Sequence, residues 1–199
     1  MPHSSLRIIR EEHAAVAAVL RSLGAMLAAG PGDQPERFFD VLRAMLFYIG
    51  EFPEKLHHPK ESNLLFPRIA RAAPELVPHI RRLEFDHMHG EGRVRELQHL
   101  LLAWELLGDS RREAFVEEAG KYVTFYLAHM HSEEVDLLPA AQKALSAQDW
   151  AELDAAFEND RDPLASGMRD ARYDRLFTRI VMTAPAPIGL GPVLDNAAA

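Results

Sequence analysis

The chain has 199 residues, of which 48% are hydrophobic, enough for one domain with a single apolar core and a decorated end. It contains no cysteine, which excludes disulfide scaffolds, zinc–thiolate sites, iron–sulfur clusters and thiol nucleophiles, and leaves histidine and carboxylate as the metal donors. The net charge of -8 and the lack of a Lys/Arg block argue against a nucleic-acid partner.

The N-terminal sequence MPHSSLRIIREEH has no apolar run of the signal-peptide type. We also expect no stretch approaching the roughly 18 uncharged apolar residues of a membrane span. The sequence therefore predicts a cytoplasmic protein without a membrane partner, and it leaves homo-oligomerisation open.

The first predicted helix carries an apolar seam that a histidine interrupts. Its residues alternate at spacings of three and four, which places them on one stripe of a helix: Leu6, Ile9, His13, Val16, Leu20, Leu23 and Leu27. The sequence GPGDQP at 30–35 ends this helix, and a second helical run follows. That run continues as HHPKESNLLFP at 57–67, where Pro59 predicts a kink or a restart because it removes a backbone hydrogen bond.

The third predicted helix repeats the first seam at an offset of 74 residues. Its seam residues are Ile80, Leu83, His87, Gly90, Val94, Leu97 and Leu101. A Gly-Asp-Ser break at 108–110 follows, and Ser110 with Glu113 predicts a capping box for a fourth helix. This helix ends in HMHSEEVDLLP at 129–139.

The second and fourth helices match at an offset of 72, which pairs His57 with His129 and Glu61 with Glu133. The chain is thus predicted to be a duplicated αα-hairpin, an all-α fold that forms an antiparallel up-down four-helix bundle over residues 1–145. Residues 146–199 are predicted as an extension packed on the bundle. It would hold a short helix capped by Ser146, another near 173–181, and an extended tail.

Six inward side chains form a candidate metal site. Residues four apart lie one turn, roughly 5 to 6 Å, above each other, so each His-x-x-x-Glu motif presents an imidazole and a carboxylate on one face. Two buried carboxylates without a cation would cost several kcal/mol each, which favours metal binding. The predicted ligands are His13, His57, Glu61, His87, His129 and Glu133.

The number of ligands predicts two metal ions that share both carboxylates. Each ion would take two imidazole nitrogens and one oxygen from each Glu, leaving room for a bridging oxygen, as in an Fe–O–Fe unit, and for a small ligand. Such bridging would hold the ions about 3.5 to 4 Å apart. Nitrogen and oxygen donors suit iron, manganese or zinc, and donor type alone does not choose among them.

These motifs resemble the hemerythrin-like family with its His-His-Glu cation-binding domain, over about residues 5–145. The resemblance rests on EEH at 11–13, HHPKE at 57–61 followed by LFP, the lone seam histidine at 87, and the motif at 129–133 followed by LLP. It implies a non-haem di-iron protein that binds or senses a small diatomic ligand, dioxygen or nitric oxide, with roles that include oxidative or nitrosative stress.

One position departs from the family pattern. Oxygen-carrying hemerythrins have a second histidine four residues after the one on the third helix, where this chain has Glu91. Glu91 could be a third carboxylate ligand, a gate or a solvent-exposed acid, and His58 could be an alternative ligand or an outer hydrogen-bond donor. Tyr126 could donate to a bound ligand or simply pack, and Gly90 could open a cavity for that ligand or permit close helix packing.

Two other functions compete with this interpretation. A ferritin-like oxidase or peroxidase would use Glu-x-x-His motifs, which occur at 54–57, 84–87 and 96–99 but fail on the fourth helix, where residue 126 is Tyr. In a regulatory protein, the metal could serve only to hold the helices of the bundle together. We assign no turnover reaction, because nucleophile and phosphate-loop signatures are missing, so any catalysis would be the metal's own redox chemistry.

Overall fold

The computed structural model describes residues 3–159, 161–167 and 173–191, which are helical with short turns and contain no strand within those ranges. The α-helices are α1 (Ser4–Ala29), α2 (Pro35–Glu51), α3 (His58–Lys60), α4 (Phe66–Ala72), α5 (Val77–Leu107), α6 (Arg112–Ser132), α7 (Leu138–Ala144), α8 (Ala147–Glu158), α9 (Pro163–Ser166) and α10 (Asp174–Thr183). The all-helical prediction is confirmed.

Three π-helical segments interrupt the helices that carry the His-x-x-x-Glu motifs. They are π1 (Pro53–His57), π2 (Glu61–Leu65) and π3 (Glu133–Leu137). The segments π2 and π3 lie 72 residues apart and each begins at a motif glutamate, so the duplication extends to local backbone geometry. The helix is interrupted near Pro59 as expected. Pro59 lies in the short helix α3, which has a π-segment on each side. Short π-segments inside α-helices are frequent at functional sites.

Glycines end the two longest helices. Gly30 closes α1 with φ +75° and donates its N–H to the Met26 carbonyl, and Gly108 closes α5 with φ +85° in the same way. The capping box predicted at Ser110 is absent, since a 3₁₀ turn at Asp109–Arg111 precedes α6 and Asp109 accepts from Trp104 instead. The cap predicted at Ser146 does form a capping box, with Asp149.

The helices enclose two apolar clusters. α1 packs against α2 and α6, while α5 packs against the same two helices from the other side. One cluster runs from Val16 to Met26 on α1 and takes in Trp104 and Tyr122. The other holds Ile8 and Ile9 of α1 with residues that include Leu65, Phe66, Leu83, Leu137 and Leu138. The polar seam residue His13 lies between Ile9 and Val16, at the boundary of the clusters.

The C-terminal segments contribute to both clusters. Trp150, Leu153 and Phe157 of α8 are buried on the predicted face, and Ile180 of α10 is buried against α2. The described part of the tail is not extended as predicted. It turns back, with Leu190 N–H donating to the Val181 carbonyl and Ser22 Oγ donating to the Pro185 carbonyl. Residues 192–199 lie outside the described part of the chain.

Length and composition alone would let α1 cross a membrane, contrary to our expectation for the sequence. Its most apolar window is 56% buried inside the protein. A core helix passes this test as readily as a membrane span, because both need a long apolar run. The burial of the α1 seam is consistent with the core-helix interpretation.

Candidate metal centre

Four histidines from four helical runs direct their Nε2 atoms into one buried layer. They form two pairs, with His13 Nε2 3.1 Å from His57 Nε2, and His87 Nε2 3.0 Å from His129 Nε2. One histidine of each pair comes from a seam and the other from a His-x-x-x-Glu motif. All four side chains are at most 8% exposed.

The two motif glutamates lie between the histidine pairs and reach both. Glu61 Oε2 lies 3.3 Å from His57 Nε2 and 3.7 Å from His87 Nε2. Glu133 places Oε2 3.3 Å from His13 Nε2 and Oε1 3.4 Å from His129 Nε2. Each carboxylate therefore faces one nitrogen from each half of the duplicated chain, which is the placement that a bridging ligand requires.

The carboxylate oxygens of Glu61 and Glu133 are the clearest sign of a cation site. Both side chains are fully buried, and among the described residues none of the four oxygens makes a hydrogen bond, the nearest imidazole nitrogens lying 3.3 to 3.7 Å away. Buried carboxylates are almost always paired or bound to metal, because an unpartnered charge in a protein interior is strongly destabilising. The donor set fits a cation well, and two clusters of potential ligand atoms contain these glutamates: His13–His57–Glu61 and Glu61–His87–Glu133. A third cluster, His58–His87–His129, overlaps the second at His87.

The outer nitrogens of the first histidine pair are held by carboxylates from neighbouring helices. His57 Nδ1 lies 2.7 Å from Glu12 Oε2, and His13 Nδ1 lies 3.0 Å from Glu134 Oε1. A carboxylate on Nδ1 fixes the ring orientation and keeps Nε2 free to bind a metal. Glu12 in turn accepts from the Asp162 N–H, so the C-terminal segment supports this half of the centre.

The second pair repeats this arrangement at the duplicated positions. His129 Nδ1 lies 3.3 Å from Asp86 Oδ2, and His87 Nδ1 lies 2.9 Å from Ser62 Oγ. Asp86 is the counterpart of Glu12 at the offset of 74, and Ser62 is the counterpart of Glu134 at the offset of 72. The outer contacts therefore follow the same duplication as the proposed ligands.

Protons and a metal would compete for the histidines of this centre. Burial alone would lower the pKa of His13, but Glu133 and Glu134 outweigh it and raise that pKa to about 8. The pKa of His57 is also raised well above its usual value, since Glu61 and Glu12 overcome the effect of burial. Burial opposes ionisation of Glu133 as well, yet the neighbouring imidazoles, His129 first, hold its pKa well below the usual range.

The structure separates the two residues that the sequence left as alternative ligands. His58 is buried, stacks on His87 with ring centroids 3.9 Å apart, and accepts at Nε2 from the Tyr126 hydroxyl at 2.7 Å. Its pKa is lowered well below the usual value, chiefly by burial and then by the charge of His87, so it is a neutral imidazole beside the centre. Glu91 is 54% exposed, pairs with Arg95, and lies outside the three ligand clusters.

Sequence reasoning did not identify Glu54 as part of this region. Its side chain is buried, with Oε2 3.2 Å from His58 Nδ1 and Oε1 accepting from the Tyr122 hydroxyl at 3.4 Å. Burial raises the pKa of Glu54 to about 8. The four-residue spacing between Glu54 and His58 is the signal in the sequence that could place them together, whereas the Glu-x-x-His pattern links Glu54 to His57.

The space beside Gly90 is filled, which overturns the hypothesis of a ligand cavity there. A Cβ built on Gly90 would lie 2.6 Å from Glu54 Oε1 and 2.7 Å from Oε2. The glycine therefore allows the Glu54 carboxyl to lie against the α5 backbone. This explains a mid-helix glycine that local helix propensity disfavours.

Replacing Gly90 with alanine should destabilise the protein by about 1–3 kcal/mol, because the new methyl group displaces a buried, hydrogen-bonded carboxyl. Gly120→Ala is the matched control, since nothing lies within 4 Å of its Cβ position on α6. The free energy of unfolding of this control should rise by up to about 1 kcal/mol, because alanine has a higher helix propensity than glycine. Urea unfolding followed by circular dichroism measures both, and equal stabilisation of the two variants would contradict the packing of Glu54 under Gly90.

The glutamates of the Glu-x-x-His motifs do not join the histidine layer, since Glu54, Glu84 and Glu96 all lie outside the three ligand clusters. Glu54 binds His58 rather than the histidine layer, and Glu96 and His99 are exposed on α5. The inner layer contains four imidazoles and two carboxylates, so it is rich in histidine where a ferritin-like site would be rich in carboxylate.

The chain matches the model of the hemerythrin HHE cation binding domain over residues 4–141. Comparison with curated proteins finds no match. The matched range runs from α1 into α7 and contains all six proposed ligands, and it leaves out α8, α9 and α10. Since this range covers well over half of the chain, and its histidines and glutamates cluster as a cation site requires, the chain belongs to the hemerythrin HHE cation-binding domain family.

Proposed function

We propose that this protein holds two non-haem iron ions and binds or senses a small ligand such as dioxygen or nitric oxide, in the response to oxidative or nitrosative stress. The proposal includes the ligand set His13, His57, Glu61, His87, His129 and Glu133, an antiparallel up-down order of four helices, and a cytoplasmic location. The packing of α1 and α5 against α2 and α6 supports the helix order. The two histidine pairs that share two carboxylates support the pair of ions.

The observation that carries the small-ligand proposal is a cavity next to the histidine layer. It leaves about 10 Å³ for the centre of a water-sized molecule, close to the minimum for a single water. Apolar side chains including Val16, Phe52 and Met130 line it together with His13 and His57. A molecule held there would be about the size of one water, and an organic substrate would not fit.

The chain's own groups would hold the ligand and exclude water. Iron, when bound, would supply the redox and ligand-binding chemistry. Tyr126 lines the same cavity, and its pKa is raised well above the usual value, chiefly by burial, so its hydroxyl keeps its proton. That hydroxyl now donates to His58 Nε2 and could turn to donate to a small ligand in the cavity.

Metal analysis and gas titration test the proposal together. Protein purified without added metal should contain about two iron ions per chain, with absorption and Mössbauer spectra typical of histidine-rich ligation. The reduced protein should then change its absorption spectrum on titration with dioxygen or nitric oxide. Zinc in place of iron, or a di-iron form that responds to neither gas, would favour a metal with a purely structural role.

A further inference from the structure

The outward face of α5 exposes large apolar side chains that its own chain leaves uncovered. Phe85 is 56% exposed, Met88 72%, Leu102 49% and Leu106 71%. These residues lie opposite the buried stripe of the same helix, which includes Leu97 and Leu101. α5 is therefore apolar on two sides, whereas a helix on the surface of a bundle needs only one apolar face.

The exposed residues follow the spacing of a helix–helix seam. Together with the positions between them they alternate at intervals of three and four residues: Phe85, Met88, Gly92, Arg95, His99, Leu102 and Leu106. The stripe is about 31 Å long at 1.5 Å per residue. Its apolar residues lie at the two ends and its polar residues in the middle, so the order is nearly the same in either direction.

We propose that this α5 stripe is the interface of a homodimer in which the α5 helices of two copies pack antiparallel. In the register that interleaves the two seams, Phe85 lies opposite the partner's Leu102 and Met88 opposite the partner's His99. Leu106 then covers the aliphatic part of the partner's Arg81. The two-fold axis generates each of these contacts twice, because the same surface of both copies forms the interface. Both apolar ends of the stripe therefore contact the other copy.

Charge selects the antiparallel orientation. The exposed residues Arg81 and Arg82 make the first end of the stripe basic, while Glu105 at its other end is half-buried and pairs with Arg43 of its own chain. Parallel packing would place the arginines of both copies together, whereas antiparallel packing keeps them at opposite ends of the pair. Near the axis, Arg95, which pairs with Glu91 at 3.3 Å within its own chain, can also reach the partner's Glu91.

Gly92 fits this arrangement at the centre of the stripe. Nothing in the described part of the chain lies within 4 Å of its Cβ position, so no contact there explains a glycine that destabilises the middle of a helix. Beside a two-fold axis, the missing side chain lets two helix backbones approach closely. Gly90, only two residues earlier, differs because the Glu54 carboxyl of the same chain fills the space beside it.

Sedimentation and light scattering of the full chain test the interface. We expect a dimer at micromolar concentration that a Met88→Glu/Leu102→Glu variant converts to a monomer with unchanged helix content. Met182→Glu is the control, because Met182 is 57% exposed on α10 and lies outside the stripe. A wild-type chain that stays monomeric up to several hundred micromolar, or a charged variant that stays dimeric, would overturn the proposal.

Cysteine cross-linking tests the register, and the natural chain has no cysteine to interfere. A Phe85→Cys/Leu102→Cys variant should form a covalent dimer on mild oxidation, because position 85 of each copy faces position 102 of the other. Either single variant should remain uncross-linked, since like positions are far apart in an antiparallel pair. Efficient cross-linking of both single variants would indicate a parallel pair and contradict the proposed arrangement.

Discussion

Replacing Glu61 or Glu133 with glutamine should weaken metal binding by more than about 100-fold, since even the loss of outer partners of a metal site typically costs about 10–100-fold. Each carboxylate faces one histidine from each half of the chain, so one substitution removes a negative charge that both proposed metal positions share and replaces one of its two oxygen donors with an amide nitrogen. We therefore expect the two variants to have equal effects, with both ions lost together rather than one.

Metal content after dialysis against a weak chelator measures this effect, and thermal unfolding gives a second readout. Metal should raise the midpoint of unfolding of the natural chain, because it binds only the folded centre, and should leave that of either variant nearly unchanged. Glu91→Gln is the control, since Glu91 is exposed and lies outside the ligand clusters. Retention of both ions by Glu61→Gln would show that Glu61 does not bridge.

The buried centre could be predicted in large part because it is repeated within the chain. A single seam histidine such as His13 is more often a hydrogen-bonded core residue than a ligand. His87 at an offset of 74, together with two His-x-x-x-Glu motifs at an offset of 72, made a shared inward site the simpler explanation. The structure brings all six side chains into one layer.

The residues that sequence reasoning missed or left open lack this repetition. Glu54 and His58 correspond to Tyr126 and Met130 in the second half, so comparing the halves gave no reason to place them together. Their proximity to the centre depends on packing across helices, with the Glu54 carboxyl under Gly90 and His58 against His87. The capping box at Ser110 failed for a local reason, because a 3₁₀ turn shifted the start of α6.

The C-terminal segment also lay beyond sequence reasoning. The hydrogen bond from the Asp162 N–H to Glu12 joins residues 150 positions apart. Arg161 likewise pairs with Glu11 at 2.7 Å. Long-range contacts of this kind leave no periodic pattern in a sequence, so the prediction of an extension packed on the bundle did not show that it touches Glu12, which orients His57.

The metal-free protein should lose stability as the pH rises from about 6.5 to above 8. The pKa of His13 is about 8 in the folded chain against 6.5 for an ordinary histidine, so its stabilising contribution is complete below 6.5 and lost as the pH passes 8. This shift corresponds to about 2 kcal/mol. Glu54 acts in the same direction, because its pKa is raised to about 8 and its ionisation is unfavourable in the buried position.

Metal binding should show the opposite trend over the same interval. A metal needs the neutral imidazole of His13 and His57, so it displaces protons and binds more tightly as the pH rises. The increase in unfolding midpoint produced by metal should therefore be larger at pH 8.5 than at pH 6.5, while the metal-free midpoint falls. Proton release on loading, followed with a pH indicator in weak buffer, should reach about one proton or more per chain at pH 7.

Glu54→Gln separates the contributions to this pH dependence. The variant cannot ionise at residue 54, so its metal-free midpoint should fall less steeply above pH 6.5, and the remaining slope should come from the histidines. Metal loading should still release protons, because His13 and His57 are unchanged. A metal-free midpoint that rises between pH 6.5 and 8 in the natural chain would show that His13 is neutral before metal binds, and that its carboxylate neighbours do not hold a proton on it.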